Sequence, residues 1–553
     1  MRGWWLLAAG CPVEPAGDRP PTSIDPTAPV VDPQPHGPPM VWASPPAGIY
    51  AGEVTVTLRA DDPDARLTYT LDGTPAGPGS TRYDGPIHLE DAATVRIHAD
   101  NAHGRSAIAP TYLMVAPDLA APMASTLPVV VLWTPLDAPD DKEESFTPFS
   151  LSVFEPPAGA AVQWPGPATL STRAGLKVRG SSSSDYPKHP YRLELWDADD
   201  DGSRDLPLLG MPADDDWVLV APLKFDRAFV RDALVYELSN ALGRWAPRTR
   251  YAEVYVADGD ENIGDDDYVG IYVITERIER GPDRVDIAGL DLDDLTLPDL
   301  SGGYLFKEDR EGPDEVGFVA GTAGGAITFD HPFVWIDPAE AEVVPAQSAY
   351  LTGALDALAD SLLAGQLDPA RIDVPAWIDH HLLNVWAKNP DAFRLSGYYH
   401  KDRDGAFVAG PVWDFDRTMG CAAEERCDDP TGWDAVGETD EDATAVFDYG
   451  FWGPLFDDPT FRDAYFARLA ALLDGELATD RVNARIDALT APLTHAAARN
   501  FAVWTDYPPR GGDLADEVAI VKSWLAARHD WLAGCLALPD PRQCPRAGRS
   551  RLR

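Results

Sequence analysis

The sequence predicts an α+β fold with a helical C-terminal lobe, preceded by a small all-β sandwich domain. Three observations support this prediction. Residues 41–116 contain short alternating runs separated by turns rich in Gly, Pro and Asp. From Val129 onward strand patterns alternate with helical stretches, and after Phe447 the pattern is mostly helical. Strands followed by helices along the chain are typical of an α+β domain.

The composition is strongly acidic. The 553 residues include 90 Asp and Glu against 45 Lys and Arg, a formal net charge of −45. This charge opposes binding to nucleic acid and to anionic membrane surfaces. A solvated acidic surface is the simplest interpretation, and cationic partners or a saline habitat are the alternatives. A hydrophobic fraction of 45% with 17 Trp indicates a globular protein.

Residues 1–11 resemble a bacterial lipoprotein signal, with one positive charge, a short apolar run and small residues before Cys11. The run is shorter than usual, and Ala8 stands where such signals have Leu. We expect a lipid on Cys11, a Pro-rich tether over 12–40, and export to the cell envelope or beyond. Membrane contact would then use the lipid alone, since no apolar run is long enough to span a bilayer. An unmodified N-terminus is the alternative.

The remaining cysteines form two pairs that are close in sequence. In an exported chain this proximity favours the disulfides Cys421–Cys427 and Cys535–Cys544. Four cysteines allow three pairings, so the assignment is an expectation from proximity. Zinc is the weaker interpretation, because the spacings are not two-residue clips and few histidines are nearby.

The N-terminal strands predict a sandwich module over 41–116. Val54–Leu58 and Thr94–Ala99 alternate in strand fashion, with short turns between them. The segments Ser44–Tyr50 and Leu67–Thr74, with Tyr112, resemble the chitobiase/β-hexosaminidase C-terminal module. The resemblance implies an accessory module with a spacing or packing role, and carbohydrate contact is the alternative.

Two acidic segments carry the strongest functional signal. Asp391 follows Asn389-Pro390, and Asp414 lies 23 residues later in Trp413–Gly420. The intervening chain predicts a hairpin that would carry both aspartates to the same end. Phosphoryl transfer needs one carboxylate to orient the attacking hydroxyl and another to hold magnesium against nucleotide phosphates. If the segment is extended, Asp416 shares a face with Asp414 and can reach the same metal.

Several blocks, in a consistent order, resemble the CotH kinase family, which is related to spore coat protein H. The blocks are Gly175–Ser182, Lys188–Leu195, Leu209–Leu219, Asp226–Asp232, Val269–Arg277, Gly302–Tyr304 and Trp413–Gly420. The resemblance covers about 125–537 and leaves 538–553 as a C-terminal tail. It implies a divergent protein-kinase-like fold that phosphorylates Ser or Thr of a protein substrate, using ATP and Mg (or Mn).

The resemblance also implies roles for individual residues. Asp391 would be the catalytic carboxylate, and Asp414 the main metal ligand with Asp416 beside it. The family commonly has a metal-binding Asn five residues after the catalytic aspartate, where this chain has Ser396. A hydroxyl is a weaker metal anchor than an amide oxygen. A pseudokinase-like surface binding or adhesion protein without activity is therefore the alternative function.

Basic residues concentrate around the serine-rich run Gly180–Ser184. Its backbone amides and hydroxyls are suited to phosphate, although it matches neither a Walker loop nor a standard kinase glycine-rich loop. Glu276 is the candidate partner that would orient one of the cations, and surface salt bridges are the alternative. The candidate phosphate-binding cations are Lys177, Arg179, Lys188 and Arg192.

One acidic loop matches the start of a calcium-binding loop. Asp197–Asp205 has carboxylates at positions 1, 3, 5 and 9 and Gly at position 6. Position 12 is Leu208 where such loops have Glu. An acidic hairpin turn is favoured, with calcium as the alternative.

Overall fold

The structure is a computed structural model. It describes residues 37–546 apart from 116–124, 144, 163, 260–261, 313–314 and 437–443. The expectations for Cys11 and for most of the 12–40 tether lie outside the described residues. In the part of the chain that is described, no helix is both long and apolar enough to cross a membrane.

The N-terminal module is built only from strands, as the sequence predicts. It contains two sheets, in the orders β1-β3-β6 and β5-β4-β8-β9, and contributes β2, β10 and β7 to a third. Val56, Ile97 and Tyr112 are fully buried in its core. The strands are β1 (Val41–Ser44), β2 (Gly48–Tyr50), β3 (Val54–Ala60), β4 (Arg66–Thr70), β5 (Thr81–Arg82), β6 (Ile87–Leu89), β7 (Ala93–Thr94), β8 (Arg96–Asn101), β9 (Gly104–Ile108) and β10 (Thr111–Met114).

The next part of the chain closes into a seven-stranded barrel in the order β11-β12-β14-β15-β16-β18-β17. The parallel pairing of β11 with β17 completes the circle. Inward-facing apolar residues such as Leu151, Leu176 and Trp217 fill the interior. The elements are β11 (Val129–Thr134), β12 (Thr147–Phe154), β13 (Gly166–Pro167), β14 (Leu170–Val178), β15 (Tyr191–Trp196), β16 (Asp216–Val220), α1 (Arg231–Ala241), β17 (Thr249–Asp258) and β18 (Tyr268–Glu276).

A second sheet and a helical layer complete the molecule. The sheet has the order β20-β21-β19-β22-β23. The helices pack on it through an aromatic-rich core that includes Trp377, Trp386 and Trp452. The elements are β19 (Tyr304–Glu308), β20 (Gly317–Phe318), β21 (Phe333–Asp337), α2 (Pro345–Leu363), α3 (Val374–Ala387), β22 (Gly397–Lys401), β23 (Phe407–Ala409), α4 (Trp452–Asp457), α5 (Pro459–Leu473), α6 (Thr479–Thr490), α7 (Thr494–Val503) and α8 (Leu514–Cys535).

The mixed α and β content, the N-terminal β-rich module and the C-terminal helices are as the sequence predicts. Two local expectations need correction. As a capping residue type, Asp226 predicts the N-cap of a helix that runs to about Leu242. The helix begins five residues later, at Arg231, because the Asp226 carboxylate accepts both the backbone N–H and the guanidinium of that residue. The sequence also predicts one helix over about Thr479–Phe501, and the structure interrupts it with a 3₁₀ turn at Ala491–Leu493.

The sandwich module is fused to the barrel domain. β13 of the barrel domain pairs with β2, and a Cβ on Gly48 would lie 2.4 Å from the Gly166 carbonyl oxygen, so this strand contact requires glycine. The fully buried Arg96 reaches across to Asp201, 2.9 Å away, and Arg173 of β14 contacts the same carboxylate at 3.2 Å. The module therefore packs as part of one body.

Similar contacts favour the interpretation of the acidic loop as a structural turn. Besides the two arginines on Asp201, Arg105 lies 2.9 Å from Asp199. The Asp197 carboxylate accepts backbone N–H groups of its own turn. Two of the carboxylates expected to bind calcium are thus arginine partners, and the loop acts as an interdomain contact.

Candidate active site

Contacts at both ends of α3 fix the position of the loop that follows this helix. Asp373 caps its start by accepting the N–H of Ala376 at 2.9 Å. At its end Lys388 has a left-handed backbone, φ 58°, and donates its ammonium to the carbonyls of Asp429 and Thr431 at 2.6 and 2.7 Å. Lys388 is buried, and burial lowers the pKa of its ammonium to about 7. The chain therefore leaves the helix at a fixed angle.

Asn389 joins the two acidic segments. Its amide nitrogen donates to the Asn384 side chain at 3.1 Å and to the Asp414 carbonyl at 3.3 Å. Its amide oxygen accepts the backbone N–H of Asp391 at 3.0 Å. The sequence did not predict this role for Asn389, because Asp414 is distant in the chain and only the fold brings the two residues together.

Asp391 lies between two guanidinium groups. Its Oδ1 accepts from Arg394 at 3.0 Å and from Arg426 at 3.2 Å. Arg426 also forms a two-pronged contact with Glu424. Residue type and spacing alone did not indicate a role for these arginines. Both bond to Oδ1, and in the described part of the chain no group donates to Oδ2, so a hydroxyl group can approach that oxygen.

Asp414 projects from a backbone that is held on both sides. Its φ is 67°, and its N–H donates to the Tyr236 hydroxyl at 3.3 Å. The next N–H, of Phe415, donates to Asp232 at 2.7 Å. The left-handed residue and the turn that follows break the expected extended conformation, so the alternation argument for Asp414 and Asp416 is wrong. Phe415 is fully buried, as expected for a packing residue.

Negative charge accumulates at this point. Surrounding protein, and next the charge of Asp391, raise the pKa of Asp414 to about 6, while Arg417 and Arg179 oppose the rise. Burial and the charge of Asp414 raise the pKa of Asp416 well above its usual value. Burial and the same Asp414 charge raise the pKa of Asp232 to about 7. Carboxylates that repel one another in this way are stabilised by a bound cation.

The donor set suits a metal that keeps other ligands. In the described residues no group of three Asp, Glu, His or Cys side chains is arranged to hold a metal ion. Magnesium is commonly bound by one or two carboxylates together with phosphate oxygens and water. Asp414 and Asp416 fit that pattern. Ser396 lies next to β22 with φ 52°, and within the described ranges its side chain forms no hydrogen bond with either aspartate.

Most of the predicted phosphate-binding cations lie elsewhere. Lys177 and Arg192 are paired across β14 and β15, and both lie over the ring of Phe146. Arg192 also contacts Asp216 at 2.8 Å. Glu276 is paired with Arg248 at 2.7 Å, so it orients none of the four.

Lys188 is buried and structural. Its ammonium donates to the carbonyls of Pro222 and Ile271 and to the side chain of Asn500, at 3.1, 2.6 and 2.9 Å. Burial lowers its pKa well below the usual value. Of the predicted set only Arg179 reaches the acidic centre, with its guanidinium 5.4 Å from the Trp413 ring.

One of the two expected disulfides forms. Cys535 and Cys544 are bonded. Cys421 and Cys427 are free thiols, both buried, with their sulfur atoms 3.4 Å apart. This separation is well beyond the length of an S–S bond, so the predicted second disulfide is wrong for this structure.

A cavity of about 510 Å³ lies away from these residues, at the end of α1 beside α6. Arg248, Arg250 and Trp245 line it, and none of the acidic residues described above does. The candidate active site is therefore defined by the side chains that converge around Asp391 and Asp414, and this cavity is not part of it.

Comparison with known proteins identifies two family matches in this chain. Residues 176–532 match the family described as CotH kinase protein. The chain belongs to this family. Residues 45–110 match the chitobiase/beta-hexosaminidase C-terminal domain. Both resemblances inferred from the sequence are confirmed.

The other comparisons add little to this CotH family member. No curated protein matches it. Among solved structures, a chimeric titin Z1Z2-Z1Z2 tandem functionalized with a GRGDS exogenous peptide from fibronectin shares 14% identity. The match covers 29% of this chain and 93% of the titin chain, with a TM-score of 0.11.

Proposed function

We propose that this protein is an ATP- and magnesium-dependent protein kinase of the CotH type, with a divergent kinase-like arrangement of its catalytic residues. The observation that carries the proposal is the junction of Asp391 and Asp414 through Asn389. It supports placing one carboxylate for an acceptor hydroxyl beside another for a metal. CotH family membership supports kinase-like chemistry.

The acceptor side would use Asp391. A Ser or Thr hydroxyl approaching its free oxygen could be oriented and relieved of its proton. Arg394 and Arg426 would keep the carboxylate in position, since both contact its other oxygen. Asp414 and Asp416 would hold magnesium or manganese, which supplies charge neutralisation at the nucleotide phosphates when bound.

The competing function is a surface binding or adhesion protein without catalysis. The two arginine contacts on Asp391 favour it, because they already occupy one of its carboxylate oxygens. Ser396 in place of the family's Asn also favours it.

Labelled phosphate transfer separates the two functions. We expect transfer from labelled ATP to generic protein acceptors with magnesium or manganese. Asp391→Asn and Asp414→Asn should each abolish it, because each keeps the shape of the side chain and removes its charge. Asp137→Ala, at an exposed site in a surface turn, is the matched control. Equal transfer by the Asn variants would rule out the proposed mechanism.

Thermal stability provides the second measurement. ATP with magnesium should raise Tm in a concentration-dependent way, because a ligand that binds only the folded state stabilises it. Absence of any shift at high ATP concentration, together with absence of transfer, would favour the binding protein.

We also propose export with lipid on Cys11. Two or more acyl chains give stable membrane attachment, whereas one gives marginal binding. Detergent partitioning of natively expressed protein should differ from that of Cys11→Ser. Full recovery of both in the aqueous phase, with an intact unmodified Met1, would contradict lipidation.

A further inference from the structure

The serine-rich run between β14 and β15 has a built conformation. We call residues 180–184 the serine loop. Gly180 has φ 97°, and a Cβ there would lie 2.1 Å from Ser183 Oγ, so the turn requires glycine. Ser184 Oγ donates to the Ser181 carbonyl at 2.9 Å. The loop is thus held by its own contacts.

Basic side chains from three distant segments reach this loop. Arg417 donates to Ser182 Oγ at 2.7 Å. Arg310, just after β19, donates to Ser181 Oγ at 3.4 Å. Lys142, from the β11–β12 connection, donates to the Ser181 carbonyl at 3.4 Å. We call these three residues the cation triad.

Within the described residues, the three triad side chains form no close ion pair. Across the described ranges, none of the three side chains has an Asp or Glu oxygen within 4.0 Å, although acidic residues outnumber basic ones two to one. Most arginines near the centre, by contrast, form ion pairs, as Arg231 and Arg426 do. A positive cluster left unpaired in such an acidic chain is suited to an external anion.

The triad also adjoins the acidic centre. Arg417 follows Asp416 directly in the chain, and its guanidinium contacts Ser182 of the serine loop. Arg310 contacts Ser181 of the same loop. The Arg417 guanidinium lies 4.3 Å from the Phe225 ring centre, which fixes its plane. The cation triad, which could bind phosphate oxygens, therefore lies next to the aspartates that could bind a metal ion.

We propose that the serine loop and the cation triad bind the polyphosphate of the nucleotide. This proposal rests on the proposed function and names the phosphate site of the same active site. Arg310 and Arg417 exchange serine hydroxyls for phosphate oxygens when the nucleotide binds, and the backbone amides of the loop add further donors. Lys177, Lys188 and Arg192, which the sequence singled out, take no part.

Calorimetric titration with magnesium and three probes tests this assignment: ATP, inorganic tripolyphosphate and adenosine. Arg417→Ala and Arg310→Ala should each weaken tripolyphosphate and ATP binding by about tenfold or more, since a charge-assisted hydrogen bond contributes about 1.5–3 kcal/mol. Adenosine binding should not change. Lys177→Ala is the matched control and should bind all three probes like the wild type.

The outcomes separate the two proposals. Wild-type tripolyphosphate affinity in both arginine variants would overturn the phosphate site, while phosphate transfer by those variants would leave the kinase function standing. Tripolyphosphate binding that depends on both arginines, without any transfer, would support the site and contradict catalysis. Failure of the wild type to bind tripolyphosphate or ATP would overturn both. Arg310 is exposed, so its variant tests the site even if Arg417→Ala folds poorly.

Discussion

At the scale of single residues, backbone conformation positions the acidic centre. Lys388, Phe393, Ser396 and Asp414 all have φ between 52° and 70°, although none is glycine. Such residues are uncommon and concentrate at functional sites, where surrounding contacts hold them. The sequence identified the two aspartates from residue type and spacing. It could not indicate these conformations, which depend on partners distant in the chain.

Asn389 is the residue whose loss should affect this centre most directly. Asn389→Ala removes three hydrogen bonds, and the amide oxygen of the buried Asn384 loses its donor. We expect the free energy of unfolding to fall by about 1–3 kcal/mol and phosphate transfer to fall further, because Asp391 is no longer tied to Asp414. Urea unfolding and the transfer assay measure the two effects. Asn262→Ala, at an exposed site, is the control, and an Asn389 variant with unchanged transfer would contradict the tie.

Glu308 makes a pH-dependent contribution to stability. It is buried at the end of β19, accepts a hydrogen bond from the Tyr449 hydroxyl, and its Oε2 has no partner among the described residues. Burial raises its pKa to about 8, against about 4.3 in an unfolded chain. Between these values the folded state holds a proton that the unfolded state has lost, so stability falls as pH rises.

Glu308→Gln should remove that fall. The stability of the variant relative to the wild type should increase from pH 5 to pH 8, because glutamine cannot ionise and keeps an oxygen for Tyr449. Urea unfolding at several pH values measures the difference. Glu53→Gln, at an exposed site, should show a pH-independent difference. A Glu308→Gln difference that stays constant with pH would show that Glu308 does not titrate as described.

At the scale of elements, Lys188 shows how burial reassigns a charged residue. The Lys188 ammonium connects the segment before β15 to β18 and α7. Lys188→Ala removes its hydrogen bonds to the carbonyls of Pro222 and Ile271 and to Asn500 Oδ1, which still accepts the N–H of Ile271. We expect the free energy of unfolding to fall by about 2–4 kcal/mol and tripolyphosphate affinity to be unchanged. Circular dichroism during urea unfolding measures the change in stability, and calorimetric titration measures the tripolyphosphate affinity. Loss of affinity in a variant that still folds would restore the phosphate-binding role.

Element prediction succeeded where local pattern decides the structure. The cap at Asp373, the hairpin of β22 and β23 and the helices after Phe447 follow from capping residues, turn chemistry and apolar spacing. Closure of the barrel could not be predicted, because the parallel β11–β17 pair joins strands more than 100 residues apart. The same limit explains why the phosphate-binding cations were predicted incorrectly. Lys177 and Arg417 are both basic residues in the sequence, and only the fold shows which of them lies at the serine loop.

At the scale of the whole molecule, the sandwich module and the barrel share one interface. Arg96 is fully buried, and its partners include Asp201 and the carbonyls of Ala198 and Asp199. Because removal of one partner of a buried pair leaves an uncompensated charge, Arg96→Met should lower the stability of the whole protein. Arg173 remains on Asp201, so we expect the free energy of unfolding to fall by about 3 kcal/mol, the lower end of the range for such pairs.

Scanning calorimetry tests whether the two parts unfold together. The wild type should show a single transition that includes the sandwich, and Arg96→Met should lower its midpoint. Arg82→Met, at an exposed ion pair, should leave it almost unchanged. Two separate transitions, with only the first affected by Arg96→Met, would show that the module folds independently.

The barrel has a practical consequence for dividing the chain. The matched CotH region begins at residue 176, inside β14, whereas β11 and β12 precede it. A recombinant fragment that starts at residue 176 would lack strands β11 and β12 and most of β14. Leu193 and Trp217 of the barrel interior would then be exposed to water. Such a fragment would aggregate on expression, and inactivity measured on it would say nothing about the enzyme. Soluble domain preparations should start before Val129.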